Sequence, residues 1–150
     1  MRVVVQRVRR ARIQIDGTEI ASIGKGILAL VGISRYDSRQ DLEWMARKIV
    51  ELRIFDDAEG KLNLSVRDVG GEVLLVSQFT LYGDCRKGRR PSYSEAAPPQ
   101  EAGRLYEEFL GLVRELMPSA QSGRFQAMMD VELVNAGPVT LILDSSAGAG

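Results

Sequence analysis

The chain has 150 residues, 45% of them apolar and 27% charged, which suits one globular domain with its own core and argues against several. Its 20 basic and 20 acidic residues cancel, so no overall field draws it to a polyanion, and a nucleic acid would have to meet a local basic patch. With no histidine and the single cysteine Cys85, the composition excludes a Ser-His-Asp triad, a Cys-His pair, His-ligated zinc, a cysteine-cluster metal site and an internal disulfide.

Val3 to Val8 and Ala11 to Ile15 are rich in β-branched residues, and Asp16-Gly17 supplies a turn before Glu19 to Ile23, an opening β-meander. Gly26 to Ile33 is apolar on both parities, as a strand buried on both faces requires. Leu42, Met45, Ala46, Ile49 and Val50 recur at helical spacing behind Asp37-Ser38, which predicts a helix over about 39–53 with a capped start. Gly60 and Gly70-Gly71 punctuate a loop-rich stretch before a second buried strand, Glu72 to Phe79.

Gly83 to Pro99 is polar, basic and proline-containing, hence a long surface loop. Leu105, Phe109, Leu112, Val113 and Leu116 mark one face of a second helix, entered at Pro98-Pro99 and left before Pro118. Val131 to Asn135 and Val139 to Asp144 read as a closing strand pair around Gly137-Pro138, and the small residues from Ser145 to Gly150 read as a frayed, flexible tail. The order predicts a single α/β domain of mixed β-sheets packed with two main helices. No apolar run approaches the roughly 20 residues that span a bilayer, and the opening residues lead into a strand, so the expected location is the cytoplasm.

Five places are suited to chemistry or binding. Ser77-Gln78-Phe79-Thr80-Leu81 ends an apolar strand in polar side chains, where rigid backbone can aim amide hydrogens at a substrate, although an ordinary strand terminus is the commoner outcome of such a pattern. Asn135-Ala136-Gly137-Pro138-Val139-Thr140 sets a Gly-Pro between strands, suited to a close backbone approach and equally to a plain turn. Arg7 shares its side of the first strand with Val3 and Val5 and needs acceptors there, unless it snorkels at an edge. Two basic clusters, Arg2 with Arg7, Arg9, Arg10 and Arg12, and Arg86-Lys87-Gly88-Arg89-Arg90, suit phosphates or a solvated surface. Cys85 lacks a base partner and is assigned no role.

From Met1 to about Ser145 these segments together resemble the D-aminoacyl-tRNA deacylase family. Ser77 to Leu81 is similar to its first signature motif and Asn135 to Thr140 to its second. Val5-Gln6-Arg7-Val8, Leu52-Arg53-Ile54-Phe55, Arg86 to Ser92, and Gly123-Arg124-Phe125 followed by Met129 also match. Gly83 and Cys85 stand where the family commonly has alanine and threonine, and Met128 where it commonly has a polar residue.

The resemblance implies a three-layer α/β/β fold and a homodimer that hydrolyses D-aminoacyl-tRNA, and glycine mischarged on tRNA, without metal or cofactor. It implies that a cis Gly137-Pro138 loop from one subunit enters the other's site as a chirality gate, its carbonyls holding the substrate's α-amino group. It further implies that Arg7 orients that loop, that Phe125 and Met129 wall the pocket, and that Arg86, Lys87, Arg89 and Arg90 meet tRNA phosphates. Amides near Phe79 and Thr80 would stabilise the oxyanion, with the side chains of Ser77, Gln78 and Thr80 positioning the substrate and a ribose hydroxyl activating water. Thr80 as a covalent nucleophile lacks an adjacent base. The competing readings are a non-catalytic RNA-binding β-rich dimer module and a purely structural dimerisation domain.

Overall fold

The computed structural model describes residues 1–147. In chain order the elements are β1 (Arg2–Ile15), β2 (Thr18–Ile23), β3 (Gly26–Gly32), α1 (Arg39–Glu51), β4 (Phe55–Asp56), β5 (Leu62–Leu64), β6 (Glu72–Ser77), α2 (Pro99–Leu116), β7 (Gln121–Ser122) and β8 (Asp130–Asp144). Single 3-10 turns follow at Phe79–Tyr82 and Ser145–Ala147.

β1 organises the main sheet, pairing antiparallel with β2, β3 and β8, while β3 and β6 run parallel. A parallel pair needs a long crossover, and α1 lies on it between β3 and β6. The Asp16-Gly17 hairpin places both residues at positive φ, 49° and 76°, as a tight turn between twisted strands demands. In α1 the expected cap is present, with Ser38 and Asp41 forming a reciprocal capping box.

One β1 residue sets the layering. Pairing with β8 passes from Val8 opposite Asn135 to Arg10 opposite Val134, so Arg9 is an extra residue in a bulge. Before the bulge, Val3 and Val5 point to the core shared with α1 and α2; beyond it, Ala11 and Ile13 join Val8, Leu28 and Leu74 in a second core on the other face. The result is a helix layer, a central sheet, and a curled flap from the ends of β1, β2 and β8. Tyr106 of α2 reaches back to the sheet, its buried hydroxyl donating to the Leu75 carbonyl at 3.1 Å.

Several sequence expectations are corrected. The second buried strand stops at Ser77, and Phe79 belongs to the 3-10 turn. α1 ends at Glu51, two residues short of Arg53. The closing segment is one strand, β8, because both its halves pair with the same partner, β1. Ser145 is buried, and its amide donates to the Met1 carbonyl at 2.9 Å, so the expected frayed end does not begin there; residues 148–150 lie outside the described residues. The small β4–β5 hairpin and β7 have no strong sequence signature.

Candidate active site

The end of β6 is shaped by its neighbours. The Gln78 amide donates to the Val31 carbonyl at 2.7 Å, which keeps the chain in register with β3 for one residue past the strand. The chain then turns, with Leu81 donating to the Gln78 carbonyl at 3.2 Å. Gly32 makes this approach possible: a side-chain carbon there would lie 3.1 Å from the Leu81 Cβ and 3.2 Å from the Gln78 carbonyl oxygen. The amides of Phe79 and Thr80, first in the 3-10 turn, have no acceptor among the described residues. Two donors are thereby left open at a strand end, where the backbone cannot easily move.

Arg2 braces the same turn. Its Nη1 donates to the Leu81 carbonyl at 3.2 Å, its Nε and Nη2 meet the Asp144 carboxylate, and its guanidinium lies 5.1 Å from the centre of the Tyr82 ring. The Gln78 side-chain amide donates to the Thr80 hydroxyl, holding both polar side chains beside the open amides.

A cavity of about 660 Å³ opens next to this turn. Ser77, Gln78 and Phe79 form one side, and Phe125, Met128 and Met129 another. Pro98, Pro99 and Ala102 bring the start of α2 to its wall. Phe125 is stacked on Tyr106 with centroids 6.0 Å apart, and Gly103 leaves room for it, since an added carbon there would sit 3.1 Å from Phe125 Cε1. Gly123 does the same for Met129, whose sulfur would lie 2.6 Å from such a carbon. Phe79 is 54% exposed, its ring edge-on to Tyr93 at 5.1 Å. Ser77, Gln78, Phe79, Phe125 and Met129 are thus gathered on one cavity, whereas the Thr80 side chain lies outside the lining. Tyr93, Arg35 and the Ala96-Ala97 segment were not legible as site residues; the run of small residues and prolines before α2, read only as a surface loop and a helix entry, is the one sequence feature that could have marked this wall.

The Gly137-Pro138 segment is elsewhere. Between the pairs Gln6 with Thr140 and Val8 with Asn135, Ala136 to Val139 all face the single residue Arg7, so this is a wide bulge in β8 and not a turn between two strands. The Gly137–Pro138 peptide is cis. Asn135 clamps the neck of the bulge, its Nδ2 donating to the carbonyls of Arg7 at 2.9 Å and Val139 at 3.0 Å. Arg7 holds the bulge against the β4 region: Nε donates to Ala136 O at 3.1 Å, Nη2 to Gly137 O at 3.4 Å and Nη1 to Ile54 O at 2.8 Å, with Asp56 at 3.7 Å. Gly137 and Pro138 are exposed and do not line the cavity of their own chain.

Of the basic clusters, the first is largely neutralised: Arg2, Arg7 and Arg12 pair with Asp144, Asp56 and Glu132. In the second, Arg86 is committed to Asp84, donating from Nη2 at 2.6 Å and Nε at 2.9 Å. Hydrogen bonds from the Arg86 side chain and then its backbone pull the Asp84 carboxyl down to about 2. Lys87, Arg89 and Arg90 are exposed and have no ion-pair partner among the described residues. Cys85 is exposed on the same loop.

The family model for D-Tyr-tRNA(Tyr) deacylase matches residues 4–144. The chain belongs to this family. The D-aminoacyl-tRNA deacylase of Desulfatibacillum aliphaticivorans is 57% identical over 145 residues, 97% of this chain and 99% of its own length. That of Thermosipho africanus (strain TCF52B) is 54% identical, covering 97% of both chains. Among solved structures, a c-Myc DNA Unwinding Element Binding Protein superposes with a TM-score of 0.91 at 43% identity, over 96% of this chain and 98% of that one. A probable eukaryotic D-amino acid tRNA deacylase, with a TM-score of 0.80 at 18% identity over 95% and 97%, shares the fold. No helix among the described residues is long and apolar enough to cross a membrane, and no cluster of metal-ligating side chains occurs among them.

Proposed function

We propose that the chain hydrolyses the ester of D-aminoacyl-tRNA, and of glycine mischarged on tRNA, as a cytoplasmic homodimer serving chiral proofreading in translation. The observation that carries this reading is the pair of open amides at Phe79 and Thr80 beside a cavity walled by Phe125 and Met129. Water adds to the ester carbonyl carbon, and the two amides receive the developing oxyanion; one such donor contributes roughly 3 kcal/mol to transition-state stabilisation. The bond to the terminal ribose oxygen then breaks, that oxygen takes a proton, and the amino acid and tRNA leave. The ester is labile enough that a ribose hydroxyl of the substrate suffices to orient and activate the water. A chain without histidine is suited to such a reaction.

Discrimination is assigned to Gly137 and Pro138 of a second copy. In their own chain they are exposed and stand apart from the cavity, so the segment is accessible to another subunit. Inserted there, they bind the substrate's ammonium group and occupy the space of an L side chain, with Arg7 positioning the bulge. Lys87, Arg89 and Arg90 meet tRNA phosphates, and Arg86 supports them through Asp84.

Purified protein is expected to release amino acid from D-tyrosyl-tRNA and to spare L-tyrosyl-tRNA. Equal rates on both would remove the gate. Binding without turnover on either would favour the non-catalytic RNA-binding alternative.

A further inference from the structure

The cavity wall beside Ser77 to Phe79 is apolar or neutral except at one position, Arg35. Its backbone is fixed by a short ladder beyond β3. Arg35 N donates to Glu95 O at 3.1 Å, Ala97 N donates to Ile33 O at 2.9 Å, and Ser34 and Ala96 form a bridge between them. Ile33, Ala96 and Ala97 all line the cavity, so the Arg35 Cα is tied to the wall on both sides. The side chain is exposed and, among the described residues, has no ion-pair partner, and it is the one charged residue in the cavity lining. The cavity thus carries one unpaired positive charge, borne on a rim segment whose backbone is fixed, with no carboxylate in its lining to neutralise it.

Given the proposed deacylase reaction, on which this inference rests, the ligand of the cavity is an aminoacyl ester of the 3′-terminal adenosine. That nucleoside has a phosphate on its 5′ oxygen, one ribose away from the ester. We infer that Arg35 is a substrate-binding residue that holds this terminal phosphate, separately from the phosphates met by the basic loop. A guanidinium presents a planar fork of donors matched to two phosphate oxygens, and next to low-dielectric walls the pair is less screened than on an open surface.

The test compares D-tyrosyl esters of adenosine with and without a 5′-phosphate, on wild-type protein, Arg35→Ala and Arg35→Lys. Arg35→Ala raises KM for the phosphorylated ester about tenfold, the loss of one charge-assisted contact, with kcat changed less than about twofold. The phosphate-free ester is hydrolysed as by wild type, and Arg35→Lys recovers part of the loss. On D-tyrosyl-tRNA, Arg35→Ala flattens the salt dependence of KM by about 0.7 in log-log slope, the value for one single-stranded phosphate. Equal impairment on both esters would mean a structural role and overturn the inference, as would an unchanged KM for the phosphorylated one. Wild-type protein inert toward D-tyrosyl-tRNA and both esters would instead bring down the deacylase reading, and the inference with it.

Discussion

Arg7 places a guanidinium, 12% exposed, against three main-chain carbonyls from two parts of the chain. Removing it leaves those carbonyls short of a donor and frees the Ala136 to Val139 bulge from the β4 region. Arg7→Ala is therefore expected to lose about 2 kcal/mol of stability in urea denaturation, the scale of hydrogen bonds to a charged group. It is also expected to make hydrolysis of L-tyrosyl-tRNA measurable, because a bulge that is no longer held stops excluding the L side chain. Unchanged stability together with unchanged stereoselectivity would deny Arg7 its positioning role. Met128, by contrast, is 90% exposed although it lines the cavity, so it stands at the cavity's solvent rim.

Among the elements, the loop between Tyr82 and Pro99 joins the 3-10 turn to the start of α2 and so links both sides of the cavity. Its base is closed by a bridge, Asp84 and Ser92 exchanging backbone bonds of 2.7 and 2.9 Å. Arg86 braces Asp84, whose carboxyl is held at about 2. Because that value is depressed, the brace is fully present above the ordinary carboxylate range and is lost only as pH falls through about 2. Arg86 is thus paired within the loop, and the loop's cations without an ion-pair partner among the described residues are Lys87, Arg89 and Arg90. Replacing these three with alanine is expected to lower the log-log salt slope of tRNA binding by about 2 to 3, leaving hydrolysis of D-tyrosyl-adenosine unchanged. A slope equal to that of wild type would assign the loop another task.

At the scale of the whole molecule, the sheet face opposite the helices is not fully covered. Val4, paired with both Leu30 and Ile142, forms an apolar row across β3, β1 and β8, and Ile142 is 72% exposed. The row continues through Gln6 and Thr140, whose side chains bond at 3.2 Å, toward the Gly137-Pro138 bulge on the same strand. An exposed apolar row of this kind suits the two-fold dimer proposed above, in which one subunit's bulge meets another's cavity. Wild-type protein is expected to sediment as a dimer at micromolar concentration. Ile142→Asp should yield a monomer with native far-UV circular dichroism and no deacylase activity. A monomeric wild-type protein with full activity would show that each chain completes its own site.

What was decided locally was legible in the sequence: the hairpin at Asp16-Gly17, the doubly buried β3, the capped α1 and the amphipathic α2 follow from turn chemistry, periodicity and caps that act within a few residues. The two signature segments were legible from pattern only as candidates, since a strand terminus and a plain turn are the commoner outcomes of such sequences, and the family resemblance singled them out. Only the tertiary structure decided that β6 stops at Ser77, because that depends on β3 and Gly32 receiving a 3-10 turn. It decided that β8 is one strand, because strand identity is set by the partner, and both halves of β8 lie along β1. It also separated Arg86 from its basic neighbours and brought Arg35 to the cavity rim, since a charge's role depends on whether a carboxylate folds against it. No pattern along the chain encodes that distance.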